Sequence, residues 1–246
     1  MELPMLRIDD EKREAEFILF DVDGTLVDDR ERSRRLAESR MEAVTSRVGR
    51  EVAETWARLS GVDPDSFAVD MNGPLSKAPR REDLTVAAVA LYQHGHPWHR
   101  ARELSRVIYD EADEIQRRSY IPRFFPGARE TLEGLRSTGF RLGVATNGEA
   151  GLSRGVLEAL GALELFDVVV GADMVKEGKP APDMVLKACE LVGVLPEKTV
   201  YVGDQQTDAQ AANRAGVAFV VGVGGAELLD AGADVVVDSV SEIKIS

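Results

Sequence analysis

Four consecutive apolar residues, Phe17-Ile18-Leu19-Phe20, stop abruptly at Asp21-Val22-Asp23-Gly24-Thr25. A run this short and this uninterrupted reads as a strand covered on both faces, and the acidic residues after it read as a loop. Four more such runs follow in the second half, each after a helical stretch: Arg141 to Ala145, Val168 to Gly171, Thr199 to Val202 and Val217 to Gly222. Val235-Val236-Val237 adds a shorter sixth. Strands that alternate with helices predict an α/β fold, a doubly wound parallel sheet with helices on both faces and right-handed crossovers.

Residues 30–120 break this rhythm. They hold no convincing strand and carry charge-rich helical pattern over Glu31 to Leu59, Glu82 to Tyr92 and His99 to Arg118. The pattern predicts a helical domain of residues 30–120 inserted into a core built from residues 1–29 and 121–246. Its edges are the Asp28-Asp29 turn and Ile121-Pro122-Arg123-Phe124-Phe125-Pro126-Gly127, where prolines block helix continuation.

In parallel sheets ligands bind at the carboxyl ends of the strands, and four strands here end in chemically useful residues. Asp21 and Asp23 are separated by one residue. Carboxylates so close repel one another unless a cation or a shared proton compensates. A hard ion such as Mg²⁺ suits one or two carboxylates and grips a phosphate oxygen, and Gly24 lets the backbone turn sharply so that both acids face one site. Taken alone, the same residues also fit a plain polar turn.

Thr146-Asn147-Gly148 follows the second run and offers a hydroxyl and free backbone N–H groups at a helix start, which suits either a phosphate cradle or a simple helix cap. Lys179 sits before Pro180 in a defined loop, where a fixed ammonium can neutralise carboxylates and hold a transferring group. Asp204 stands at a strand end and Asp208 four residues on, spaced so that both carboxylates can face one metal site; Asp208 also fits an ordinary helix start.

The net charge is −13 and the pI about 4.8, which argues against nucleic acid and against an anionic membrane surface as partners. A small anion in a locally basic or cation-loaded pocket is compatible with it. No run of about eighteen apolar residues is present, and Met1 to Glu16 lacks the apolar stretch of a signal peptide, so a cytoplasmic protein, monomer or homodimer, is expected. The lone cysteine, Cys189, reads as a small buried residue of a helix.

Phe20-Asp21-Val22-Asp23-Gly24-Thr25-Leu26-Val27-Asp28 resembles the first motif of the haloacid dehalogenase-like superfamily. Thr146-Asn147-Gly148, Gly178-Lys179-Pro180-Ala181-Pro182-Asp183 and Val202-Gly203-Asp204-Gln205-Gln206-Thr207-Asp208 resemble its second, third and fourth motifs, in the family's order. Relatives often carry Ser after Gly-Asp; Gln205 stands there in this chain and is expected to tune the site without abolishing it. The resemblance spans Phe17 to Gly222 and implies a Rossmann-like core with a helical cap, and a phosphatase of the phosphoglycolate phosphatase-like kind acting on a small phosphorylated metabolite.

That resemblance implies Asp21 as nucleophile, Asp23 as general acid and base, and Mg²⁺ held by Asp21, the Asp23 main-chain carbonyl and Asp204. Thr146, the Asn147 N–H and Gly148 would hold phosphoryl oxygens with Lys179, and Asp208 would support the metal or Lys179. An acid at Asp23 serves an alkoxide leaving group, whereas a halide needs no proton, so dehalogenation is disfavoured. Within the insertion, Asn72 to Lys77 is similar to the cap's specificity loop, and Lys77, Arg80 and Arg81 either reach an anionic group of the substrate or form a solvated basic turn.

His94, His96 and His99 lie about Gly95 and Pro97 with no acidic or cysteine partner nearby, and read as an interhelical turn; Trp56 and Trp98 read as packing residues. A sugar phosphomutase is the alternative within the superfamily, made less favourable because no His or Lys follows Thr25 closely. A receiver-like phosphorylation module is disfavoured because its acceptor Asp follows the third strand and it has no such insertion. Phosphoglycolate, nucleotides, sugar phosphates and pyrophosphate all remain open as substrates, because cap shape decides among them.

Overall fold

A computed structural model describes residues 5–8, 11–78, 80–119 and 121–245. Its strands, in chain order, are β1 (Met5–Ile8), β2 (Glu11–Glu14), β3 (Phe17–Phe20), β4 (Arg141–Thr146), β5 (Val168–Gly171), β6 (Thr199–Gly203), β7 (Phe219–Val223), β8 (Val235–Val237) and β9 (Ile243–Ile245). Its helices are α1 (Asp29–Val48), α2 (Arg50–Leu59), α3 (Pro74–Lys77), α4 (Arg80–Gln93), α5 (Trp98–Ser119), α6 (Ala128–Ser137), α7 (Ala150–Ala159), α8 (Asp183–Val192), α9 (Gln206–Ala215) and α10 (Glu227–Asp230). The chain divides into two units, Met1–Asp28 with Pro122–Ser246, and Asp29–Ile121.

In the first unit β3 to β8 form one parallel sheet of order β5-β4-β3-β6-β7-β8. All four residues of β3 are buried because the sheet is covered on both faces. Ile18 and Phe20 join a core with Leu132 of α6 and Leu157 of α7, while Phe17 and Leu19 join the opposite core with Val185 of α8 and Ala212 of α9. The winding runs outward from β3 through β4 to β5, then restarts beside β3 with β6. Such a reversal opens a crevice at the carboxyl ends of the central strands.

β7 begins at Phe219, two residues after the expected Val217. The Val217 N–H is spent on the end of α9, bonding Ala212 O at 3.3 Å, so the strand starts only once the helix is closed. A second, antiparallel sheet of order β2-β1-β9 was not foreseen from the sequence. Leu6 and Ile8 of β1 point into the core while Arg7 faces outward, an alternation too short to stand out in a charged N-terminus.

The second unit is helical. The helical stretch expected over Glu31 to Leu59 is two helices, because Gly49 takes φ 97°, a conformation an L side chain resists. Its core centres on Trp56 and Tyr109, both fully buried. Trp56 Nε1 donates to Tyr109 Oη at 2.9 Å, Tyr109 Oη donates to Asp83 Oδ1 at 2.9 Å, and buried Arg40 pairs with Asp83 and lies over the Tyr109 ring. Trp98 departs from the expected packing role: it is exposed and meets exposed Tyr92 edge-on, with ring centroids 6.2 Å apart. His94 and His96 lie in the turn between α4 and α5 and His99 opens α5, and His94 Nε2 meets Thr55 Oγ1 at 2.9 Å. Among the described residues no metal-ligating group includes these histidines, and no helix is long and apolar enough to cross a membrane.

Candidate active site

Register brings the site together. Phe20 pairs with Val144 on one side and Val202 on the other, so Asp21, Ala145 and Gly203 form the next row. The Asp21 N–H donates to Val202 O at 2.9 Å, which carries strand geometry one residue past β3 and fixes the Asp21 backbone. Asp204 then follows β6 directly beside it, and Thr146 closes β4 on the other side.

Lys179 reaches this row from the loop between β5 and α8. Its Nζ donates to Asp21 Oδ1 at 2.6 Å, to Asp208 Oδ1 at 2.5 Å and to Ala145 O at 3.1 Å. Tyr201 Oη lies 3.3 Å from the same nitrogen and donates to Asp208 Oδ1 at 3.0 Å. Asp21, Lys179, Tyr201 and Asp208 are all buried. The loop that delivers Lys179 is clamped by Asn147, whose Oδ1 accepts from Lys179 N at 2.8 Å and whose Nδ2 donates to Lys179 O at 3.2 Å. Arg214 Nη1 adds a bond to Pro180 O at 2.7 Å. Asp208 is held from α9, its Oδ2 accepting from Gln205 N at 2.9 Å. Gln205 therefore contributes its main chain to the placement of Asp208.

Asp21, Asp204 and Asp208 each present a carboxylate oxygen, all within 4.8 Å of one another. Together with the Lys179 ammonium, this group carries formally three negative charges and one positive. Burial pushes the Asp21 carboxyl well above the usual carboxylate range, and the charges of Asp208 and Asp204 push the same way, against the pull of Lys179. Burial also opposes the charge on Lys179, but Asp208 and Asp21 outweigh it and hold its pKa well above the ordinary value. Burial and Asp208 push the Tyr201 phenol well up, so it stays a donor. Surplus negative charge on oxygen donors suits a hard divalent cation.

Gly24 is required by this packing. Its φ is 88°, and a Cβ there would stand 2.4 Å from Asp204 Oδ2. Thr25, buried next to it, donates from Oγ1 to Asp204 Oδ1 at 2.9 Å. Asp23 is half-buried in the same turn, and its carboxylate is not among the three that cluster. Thr146 is buried, with Oγ1 accepting from Gly148 N at 3.1 Å, while Asn147 and Gly148 are exposed.

The expected cap residues are placed within the helical unit. Arg80 is engaged by Asp113, with contacts of 2.6 and 3.1 Å, and the Lys77 side chain lies outside the described residues. Thr25 and Tyr201 are site residues that sequence reasoning passed over. Thr25 sat inside the first motif unremarked, and the signal for Tyr201 was one polar tip in an apolar strand, three residues before Asp204.

Residues 16–216 match the family model described as haloacid dehalogenase-like hydrolase. A phosphoglycolate phosphatase from Nitrosococcus oceani is 30% identical over 241 residues, covering 94% of this chain and 96% of its own. A phosphorylated carbohydrates phosphatase from Thermotoga maritima is 30% identical over 226 residues, covering 89% of this chain and 92% of its own. Among solved structures, a provisionally assigned β-phosphoglucomutase from Thermotoga maritima superposes with a TM-score of 0.67 at 26% identity, covering 92% of this chain and 95% of that one.

Proposed function

The chain belongs to the haloacid dehalogenase-like hydrolases, and from that premise we propose that it is a Mg²⁺-dependent phosphatase of small phosphorylated metabolites, working through an aspartyl-phosphate on Asp21. The observation that carries this reading is the buried contact of Lys179 Nζ with Asp21 Oδ1 at 2.6 Å, inside a cluster of three carboxylates. A buried carboxylate held by one fixed ammonium has a defined direction, as an in-line nucleophile needs.

Asp21, Asp204 and the Asp23 main-chain carbonyl would hold the cation, which when bound offsets phosphate charge and keeps Asp21 ionised. Asp208 has less to offer it, because Oδ1 already accepts from Lys179 and Tyr201 and Oδ2 from Gln205 N. Its place is as the anchor of Lys179.

In the first step an Asp21 oxygen forms a bond to phosphorus while the ester P–O bond breaks, and Asp23 gives its proton to the departing oxygen. In the second, Asp23 takes a proton from water, the water oxygen bonds to phosphorus, and the Asp21–phosphorus bond breaks to release inorganic phosphate. Thr146 and the main-chain N–H of Asn147 would orient phosphoryl oxygens at the start of α7, where backbone donors suit an anion. Phosphoglycolate and phosphorylated carbohydrates are the substrate classes favoured by the relatives' names.

A phosphate-release screen over phosphoglycolate, sugar phosphates, nucleotides and pyrophosphate tests this. Mg²⁺-dependent release is expected from the wild type and a loss of about a thousandfold or more in Asp21→Asn, the scale seen when a nucleophile is removed. Full turnover by Asp21→Asn would remove the nucleophile assignment, and turnover unaffected by EDTA would remove the cation. Return of the phosphoryl group to a sugar phosphate is a second reading, favoured by the likeness to the assigned mutase. An isomerised sugar phosphate in place of inorganic phosphate would select it.

A further inference from the structure

Tyr201 is fully buried, touches two charged groups of the site and has no part in the chemistry above. We propose that Tyr201 is the positioning residue that sets the direction of the Lys179 ammonium, acting through Lys179 and Asp208 without touching substrate. The proposal deepens the phosphatase reading and rests on it for its kinetic arm only.

Donor and acceptor counting carries the case. The ammonium has three hydrogens, and four oxygens lie in range: Asp208 Oδ1 at 2.5 Å, Asp21 Oδ1 at 2.6 Å, Ala145 O at 3.1 Å and Tyr201 Oη at 3.3 Å. The two short contacts take one hydrogen each. The third falls between the Ala145 carbonyl and the phenol oxygen. Tyr201 has a single hydrogen to give, with Asp208 Oδ1 at 3.0 Å and Ala145 O at 3.4 Å as acceptors. The nearer, ionised acceptor takes it. Its lone pairs are then left toward Lys179, and Lys179, Asp208 and Tyr201 form a closed ring.

Stiffness decides which member of the ring positions which. Lys179 carries its charge on a flexible four-carbon stem, whereas the Tyr201 ring turns about only two angles. The ring is packed in the core that holds Phe17, Leu19 and Ala145. Its backbone pairs with Leu19, two residues before Asp21, so the hydroxyl is tied to the strand that carries the nucleophile. A residue needed only for packing would be better served by phenylalanine, since burying a hydroxyl costs free energy unless it is bonded. Here it is bonded to the two groups whose geometry matters most.

Tyr201→Phe removes one oxygen and keeps the ring. For the substrate found in the screen, kcat is expected to fall about tenfold with KM within about twofold, the loss of one hydrogen bond to a charged group. In ¹⁵N NMR of the protein without substrate, the hydrogens of the Lys179 ammonium should exchange with water about tenfold faster, as their closed ring opens. Thermal unfolding and amide dispersion report that the variant is folded. Wild-type kcat in Tyr201→Phe overturns the proposal, and so does wild-type ammonium exchange, whichever way the other moves. If the wild type releases no phosphate from any ester, the phosphatase reading fails, and the exchange measurement alone still decides the positioning role.

Discussion

Replacing Lys179 with methionine keeps the length of the side chain and deletes its charge, leaving Asp21 and Asp208 buried and facing each other without the ammonium. The side chains of Lys179, Asp21 and Asp208 are only 4%, 6% and 2% exposed, so water cannot stand in for it. Breaking a buried ion pair from one side costs about 3–5 kcal/mol. In the wild type the raised pKa of Lys179 means that its contribution is present below the unfolded lysine value and is lost only as pH rises through the folded one. Neutral pH therefore shows it in full.

Removing the ammonium also removes the force that lowers the Asp21 pKa, which burial already holds well up. A carboxyl raised on folding binds its proton more tightly in the folded chain, so stability falls as pH rises. The deficit of Lys179→Met should widen by about 1.4 kcal/mol per pH unit across the interval in which Asp21 is ionised in the wild type and protonated in the variant. The assay is urea unfolding in EDTA between pH 5 and 8, so that no cation compensates. Both tryptophans, Trp56 and Trp98, lie in the helical unit, so the α/β unit is followed by amide hydrogen exchange in β3 and β6. A deficit that is flat with pH, or below about 1 kcal/mol at pH 8, would refute the buried-pair reasoning.

Gly24→Ala should cost about 1–2 kcal/mol for its left-handed backbone and force the Asp204 carboxylate aside. The Mg²⁺ concentration for half-maximal turnover is expected to rise about tenfold with the fold retained, and an unchanged value would separate Asp204 from the cation. Tyr109→Phe leaves Trp56 Nε1 without its acceptor and Asp83 with Arg40 but without the phenol's hydrogen on Oδ1, so the helical unit should lose about 1–3 kcal/mol by tryptophan fluorescence. An unchanged unfolding midpoint would mean that the hydroxyl is dispensable.

Much of this site is local in sequence, and those parts were legible. Asp21 and Asp204 each follow directly on an apolar strand, and the proline after Lys179 marks its loop, so residue type and spacing single them out before any contact is known. Asp208 was legible as an acid near the site, but its two possible duties were not separable. That choice depends on Gln205 N and Tyr201 Oη occupying its oxygens, which no spacing reveals. Tyr201 itself reads as one more apolar strand residue, and only pairing with Leu19 and the arrival of a lysine from another loop give its hydroxyl a role.

The parallel core was determined by the sequence alone, because strands buried on both faces must be written as unbroken apolar runs and crossovers need helices between them, whereas the place of its reversal, beside β3, was decided by strand pairing. The small β2-β1-β9 sheet was decided only by tertiary structure. Leu6 pairs with Ile245 across nearly the whole chain, and hydrogen bonds between main chains carry no residue code to announce such a partner. The same holds at the centre of the site. Three carboxylates, one ammonium and one phenol come from three separate segments, and their shared charge exists only once the sheet has brought them within a few ångströms.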